Sequence, residues 1–432
     1  RLADVMKPKS ARRSSSAPPR RGAPAGSTPA AEADAELDKI ETLVAAVRAE
    51  PGRFPDPVAL TQAWGGSEAS LAAALRRHYH IPSEALLTRA RLARAKSHLL
   101  ESELSASRIA KDVGYATTAA FDDDFQRFDG LPPSAYRALR RGQHFALRLP
   151  AGYPLGYLMR ALGRDPQSVT ERLVGNRYSA GLRVGADAYA VELTIGATRV
   201  AVSVDRPSAQ LPRIHAIVVG LLGLDQETTA FAALAHALDV ARLVQGRTEL
   251  RIAQTSTVFD GLIWAIVGQQ INLTFASLLK RRLMEKSGTP VANGLLAPPT
   301  PERVATLIPE DLLPLRYSRQ KADYLISVAR LISAGTLDLD ALRTMSATRA
   351  ERTLLAIRGL GPWSVNYLMM RSLGFADCLP LGDTGVTSGL LALFALEERP
   401  NAKKTLELMA PFSPFRSLAT AHLWQFGKPL PE

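Results

Sequence analysis

One carboxylate and three aromatic rings carry the chemistry open to this chain. Asp383 stands in Leu381-Gly382-Asp383-Thr384, 20 residues after Trp363. A carboxylate can stabilise positive charge developing on a sugar as the bond to its anomeric carbon breaks, and it can orient or activate water. An Asp before Thr-Gly is also a good helix N-cap, and both roles can hold at once. Trp363 and Tyr367 are four residues apart, which places them on one helix face. A third ring, Trp424, closes the segment His422-Leu423-Trp424. Such rings attract a flat cationic ligand by stacking and by cation–π attraction, although each could equally serve as core.

These groups need rigid elements to hold them. Trp363 follows Ile357-Arg358-Gly359-Leu360-Gly361-Pro362, a Gly-x-Gly turn between two runs apolar at helical spacing, Glu351 to Ile357 and Ser364 to Leu373. Glycine permits φ > 0 and a close backbone approach, and the N–H groups opening the next helix favour an anion. A helix–hairpin–helix that grips a DNA phosphate is the natural expectation, with Gly359, Gly361 and Ser364 as the DNA-binding residues. Upstream, Phe259 to Leu273 reads FDGLIWAIVGQQINL, an apolar helix ending in Gly268-Gln269-Gln270.

The GQQ helix, the hairpin, the aspartate spacing and the terminal HLW, in this order, resemble the helix–hairpin–helix DNA glycosylases. Within them the resemblance is to the alkylpurine branch, DNA-3-methyladenine glycosylase II, from about Phe145 onward. The resemblance implies Asp383 as the catalytic carboxylate and Trp363, Tyr367 and Trp424 as the base pocket. It places Gln270 where a side chain fills the gap left by the flipped nucleotide, or reads the opposite base. An alkylated purine is a cationic leaving group, so such an enzyme extracts the nucleotide and stabilises the sugar without protonating the base. The strand-nicking branch has lysine at the Trp363 position; tryptophan cannot form a Schiff base, so a monofunctional enzyme without lyase activity is expected. No cofactor is expected and no metal held by side chains. A monovalent cation on the backbone carbonyls of Gly359 and Gly361 is implied by resemblance. Two other readings stay open: a transcription regulator whose glycosylase half only recognises damage, and an oxidised-base glycosylase with lyase activity.

The net charge of +12 and a pI near 9.9 call for an acidic partner, nucleic acid before a membrane surface, and the resemblance implies double-stranded, alkylated DNA. Residues 1–22 hold seven Lys/Arg against one acid, Asp4. Residues 1–34, rich in Ala, Ser, Pro and Arg, read as a disordered basic tail. Residues 35–142 are helical throughout and resemble an AraC-type domain with two helix–turn–helix units joined by a long helix, Ser83 to Glu101. In the first unit Leu60 to Trp64 would support and Glu68 to Arg77 would read. The second runs from Ser107 through Gly114 and Phe121 to Arg137, and Asp122, Asp123 and Asp124 in its reading helix are poorly suited to phosphates. From 143 to 224 the pattern alternates, with one helix from Tyr157 to Leu173: a small α+β subdomain with an antiparallel sheet, TBP-like by resemblance. Residues 225–432 read as the all-helical glycosylase domain. The chain is thus expected to be multidomain, mainly α and monomeric, and located in a bacterial cytoplasm at the nucleoid. The glycosylase part from Gln143 onward is expected to work alone. A lone cysteine, Cys378, excludes an intrachain disulfide framework.

Overall fold

The computed structural model describes residues 29–428. Most of the expected tail, residues 1–28, lies outside the described residues. Its last part does not fit the expectation: helix α1 (Pro29–Ala49) begins inside the segment assigned to the tail. Asp34 in that segment pairs with Arg352 at 2.7 Å, so tertiary contact overrides the disorder-prone composition.

The helix–turn–helix domain continues with α2 (Pro57–Trp64), α3 (Glu68–Tyr79), α4 (Ser83–Glu101), α5 (Ala106–Asp112), α6 (Thr118–Asp129) and α7 (Pro133–Ala138). Side-chain caps set the starts: Asp56, Ser67, Ser105 and Thr117 each accept a backbone N–H from the first turn of α2, α3, α5 and α6. The two units α2/α3 and α5/α6 flank α4, which spans the residues read from sequence.

The sheet follows: β1 (His144–Arg148), α8 (Leu155–Leu162), β2 (Glu171–Val174), β3 (Arg177–Val184), β4 (Asp187–Ile195), β5 (Arg199–Val204) and α9 (Leu211–Leu222). It is antiparallel in the order β1-β5-β4-β3-β2. The helix expected to run to Leu173 stops at Leu162. Gly163 and Pro166 end it, since proline cannot continue a helical hydrogen-bond ladder, and the chain returns as β2. A second helix, α9, made from the apolar run near Ile217, also covers the sheet.

The remainder is helical apart from one short hairpin, β6 (Thr289–Pro290) and β7 (Leu296–Ala297): α10 (Thr229–Ala237), α11 (Val258–Val267), α12 (Leu273–Ser287), α13 (Pro301–Ala305), α14 (Pro309–Leu312), α15 (Arg319–Ser333), α16 (Leu339–Leu342), α17 (Ala347–Leu355), α18 (Pro362–Leu368), α19 (Thr384–Leu393), α20 (Ala402–Met409) and α21 (Arg416–Gln425). One apolar core fills this bundle.

Packing ignores the boundary near residue 142. The second helix–turn–helix unit shares one continuous core with the sheet and α9. A ladder of rings crosses the seam: Phe125 to Tyr136 at 5.4 Å, Tyr136 to His215 at 5.3 Å and His215 to Phe145 at 5.5 Å. The first unit, with its own core, docks on α17 instead. There Arg349 Nε donates to both oxygens of Glu41 at 2.9 Å, Ser346 donates to Glu41 at 2.7 Å, and His78 Nδ1 lies 2.8 Å from the Thr348 hydroxyl. This shared packing argues against separable halves. Fragmenting at Gln143 would leave the apolar surface of the second core open to water.

Candidate active site

Three elements converge on Asp383. Its side chain caps α19, with Oδ1 accepting from Val386 N at 3.0 Å. Trp424 Nε1, on α21, donates to the same oxygen at 2.9 Å, and Trp363 Nε1, on α18, donates to Oδ2 at 3.2 Å. The carboxylate is thus fixed at a helix cap and held by two indole N–H groups. The positive end of the α19 dipole and three N–H donors face the carboxylate and fix its orientation. Tyr367, 6% exposed, stacks on Trp363 with ring centroids 5.3 Å apart and 22° between planes. Trp424 tilts over Tyr367 at 6.2 Å. The structure therefore brings Asp383, Trp363, Tyr367 and Trp424 into one cluster.

Gly385 makes that closeness feasible. A Cβ at this position would sit 2.6 Å from Trp424 Cδ1 and 3.1 Å from Asp383 Oδ1. The sequence offered a signal, a glycine in the first turn of a helix where propensity disfavours it, but nothing about what it approaches.

In the hairpin only Gly359 takes a left-handed conformation, φ +98; a Cβ there would lie 2.4 Å from the Tyr324 ring. Gly361 has ordinary backbone geometry, φ −91, and caps α18 ahead of Pro362. Both are reachable at the hairpin surface. Ser364 is not: its side chain is buried, accepts from Gln269 Nε2 at 3.0 Å and donates to Ala265 O at 3.4 Å. Its expected DNA contact is corrected to an internal tie. The two glycine carbonyls each accept an internal hydrogen bond. That of Gly359 accepts from Gln269 Nε2 at 2.8 Å, and that of Gly361 from Val365 N at 3.0 Å as the first bond of α18. Each carbonyl thus spends one of its two lone pairs on an internal donor.

Gln270 stands exposed on the loop between α11 and α12, in a left-handed conformation at φ +55. The loop is bracketed from inside. Gln269 ties it to the hairpin as above, and Lys321 Nζ donates to Val267 O at 2.5 Å and Gln269 O at 2.8 Å. Burial holds the Lys321 pKa below its ordinary value. Gln269 and Lys321 escaped the sequence reading because a polar residue in a turn and a lysine in a helix both look solvated. Leu273, 64% exposed and three residues past Gln270, is a further apolar side chain on this face.

This fold and this cluster define a helix–hairpin–helix protein of base-excision type. Residues 263–414 match the family described as HhH-GPD superfamily base excision DNA repair protein, and residues 60–139 match a helix-turn-helix domain. A DNA-3-methyladenine glycosylase of Bacillus subtilis is 35% identical over 207 residues, 47% of this chain and 68% of that protein. A Mycobacterium tuberculosis protein named as a probable bifunctional transcriptional activator/DNA repair enzyme is 30% identical over 210 residues, 47% of this chain and 40% of that one. The solved 3-methyladenine DNA-glycosylase of Archaeoglobus fulgidus shares the fold, with a TM-score of 0.57 at 22% identity over 65% of this chain and 97% of that one. The chain belongs to the DNA-3-methyladenine glycosylase family, with an AraC-type helix–turn–helix domain ahead of the glycosylase.

Proposed function

We propose that this protein is a monofunctional DNA glycosylase that flips an alkylated purine such as 3-methyladenine out of duplex DNA and hydrolyses its N-glycosidic bond. The observation that carries the reading is Asp383 clasped by Trp363 and Trp424 at the edge of an aromatic cluster. The rings stack with the cationic base, and the carboxylate meets the positive charge that develops on the sugar. Gln270, bracketed by Gln269 and Lys321, takes the place of the departed nucleotide, while the Gly359–Gly361 turn holds the backbone.

The lysines around the site support hydrolysis without strand cleavage. Lys321 is engaged by two carbonyls, and Lys280 Nζ lies 3.0 Å from Asp260 Oδ2. Neither is a free amine facing Asp383, and Trp363 occupies the position where the resembled lyases have their nucleophile. Incubation with methylated duplex should release free 3-methyladenine and leave alkali-labile abasic sites with no strand break. Borohydride trapping of a covalent protein–DNA adduct would contradict the monofunctional assignment. The match of residues 60–139 to a helix-turn-helix domain favours a regulator as the second reading, and that reading requires damaged-DNA binding with no base release.

A further inference from the structure

Arg371 is a half-buried cation that the reaction above does not use. It follows Tyr367 by four residues and Trp363 by eight, so the three side chains leave one side of a continuous helix. The helix widens to π geometry over Met369–Leu373, a distortion frequent at functional sites. Arg371 Nε is buried with no hydrogen-bond partner among the described residues. The side chain lines a cavity of ≈ 150 Å³ between the sheet and the bundle, and Tyr367 lines the same cavity. Two other cations there are paired, Lys280 with Asp260 and Arg281 with Asp165 at 3.6 Å, and Glu171 accepts from the Tyr178 hydroxyl at 2.5 Å; Arg164 also lines the cavity. A guanidinium has five donors and no acceptor, and a buried Nε–H without a partner is costly. The arrangement calls for an acceptor that arrives with a ligand.

The flipped base is the ligand that Tyr367 would bring. With its glycosidic nitrogen beside Asp383, a purine points its far end, C6, away from the carboxylate. Trp363 is bonded to Asp383, and Arg371 lies about 12 Å farther along the helix at roughly 1.5 Å per residue. Helical side chains lean toward the N-terminus, so Arg371 reaches back toward Tyr367. A purine and an arginine side chain together span that distance.

Building on the glycosylase reading, we propose that Arg371 is a specificity-determining residue that reads the C6 substituent of the flipped purine. It donates to a carbonyl oxygen, as in methylated guanines, and is left unpaired against the amine of methylated adenines. Methylation at N3 makes both kinds of nucleoside cationic, so repulsion by Arg371 is common to the two and the C6 group decides between them.

The test uses duplex DNA treated with dimethyl sulfate. Release of 3-methylguanine, 7-methylguanine and 3-methyladenine is followed chromatographically under single-turnover conditions for the full chain, Arg371→Met and Arg371→Lys. The methionine variant should lose release of the methylguanines at least tenfold relative to 3-methyladenine, with the lysine variant between the two. Equal loss for all three bases, or no change in their ratio, in a variant with wild-type melting behaviour would overturn the proposal. Should the methionine variant fail to fold, inhibition of the unmodified protein by free 3-methylguanine against free 3-methyladenine decides: tenfold stronger inhibition by the guanine supports Arg371, and equal inhibition overturns it. Absence of any base release by the unmodified protein would defeat the glycosylase reading itself, and this inference with it.

Discussion

Replacing Asp383 with asparagine separates charge from shape. Asparagine keeps one oxygen; placed at the Oδ1 position it preserves the cap on Val386 N and the bond from Trp424 Nε1. The amide nitrogen then faces Trp363 Nε1, donor to donor, where a 3.2 Å hydrogen bond stood. An unsatisfied donor costs about 1–3 kcal/mol when fully buried, and this half-buried site lies at the low end. Asparagine caps about as well as aspartate, so the helix start survives. Melting should therefore fall by only about 2–4 °C per kcal/mol lost, for a domain of this size. The catalytic loss is larger: an electrostatic contact aimed at developing charge is worth about 2.7–4 kcal/mol, or roughly 100- to 1000-fold in rate. Single-turnover release of 3-methyladenine from methylated duplex, with DNA affinity measured beside it, reads both quantities. The expected result is a collapse in rate with affinity unchanged or higher, because a negative charge near phosphate has gone. A near-normal rate would refute the assignment, and so would a rate loss fully matched by lost binding.

Four further outcomes follow from the contacts. Gln269→Ala removes both ties between the loop and the hairpin, roughly 1–3 kcal/mol together, and should weaken binding to abasic-site duplex about fivefold or more; unchanged affinity would show that the bracket is idle. Gly385→Ala should slow base release by pushing Trp424 off Asp383 even though alanine favours a helix, and an unimpaired rate would contradict the close contact. Burial drives His215 down to about 4 and His422 down to about 3 from an ordinary 6.5, so the unfolded chain binds more protons between those values and stability falls as pH drops below about 6.5. Each contributes up to about 1.4 kcal/mol per pH unit, and chemical denaturation with equal midpoints at pH 7 and pH 5 would be inconsistent with it. A fragment starting at Gln143 should aggregate or unfold, and a soluble, cooperative, active fragment would show that the shared second core is dispensable.

Local signals carried furthest in the sequence. The bounds of α4, the hairpin and the order of the alternating strands could be read because each is fixed by caps, glycines or periodicity within a few residues. Asp383 and its rings were legible through spacing along the chain. Their mutual hydrogen bonds were not, since Trp424 is 41 residues from the carboxylate that it holds. Ser364 was misplaced for the same reason: a serine opening a helix looks like a phosphate donor until Gln269, 95 residues earlier, is seen to claim its hydroxyl. The helix expected from Tyr157 to Leu173 failed locally, because Gly163 and Pro166 outweighed the apolar spacing. Nothing in the composition of residues 29–34 revealed that they would be helical against a partner more than 300 residues away.

That partner changes how the helix–turn–helix domain should be understood. Helix α17 is the first arm of the hairpin, and Asp34, Asp38 and Glu41 of α1 bind its Arg349 and Arg352. His78, on the helix expected to read DNA in the first unit, is buried against Thr348 and bonded to Glu36 at 3.1 Å. His80 adds a bond from Asp377 N at 3.2 Å and an edge contact with Phe375. In the second unit Arg127 pairs with Glu227, and Asp122 and Asp123 are among the positions its reading helix leaves exposed. Both units therefore commit part of their reading helices to the glycosylase. Exposed ion pairs alone are weak, each contributing at most about 1 kcal/mol, so the contact on α17 holds mainly because the second unit is already fixed through an apolar core. The domain positions the hairpin arm from one side while its other side completes the sheet's packing, and a DNA duplex that meets this protein meets both as one body.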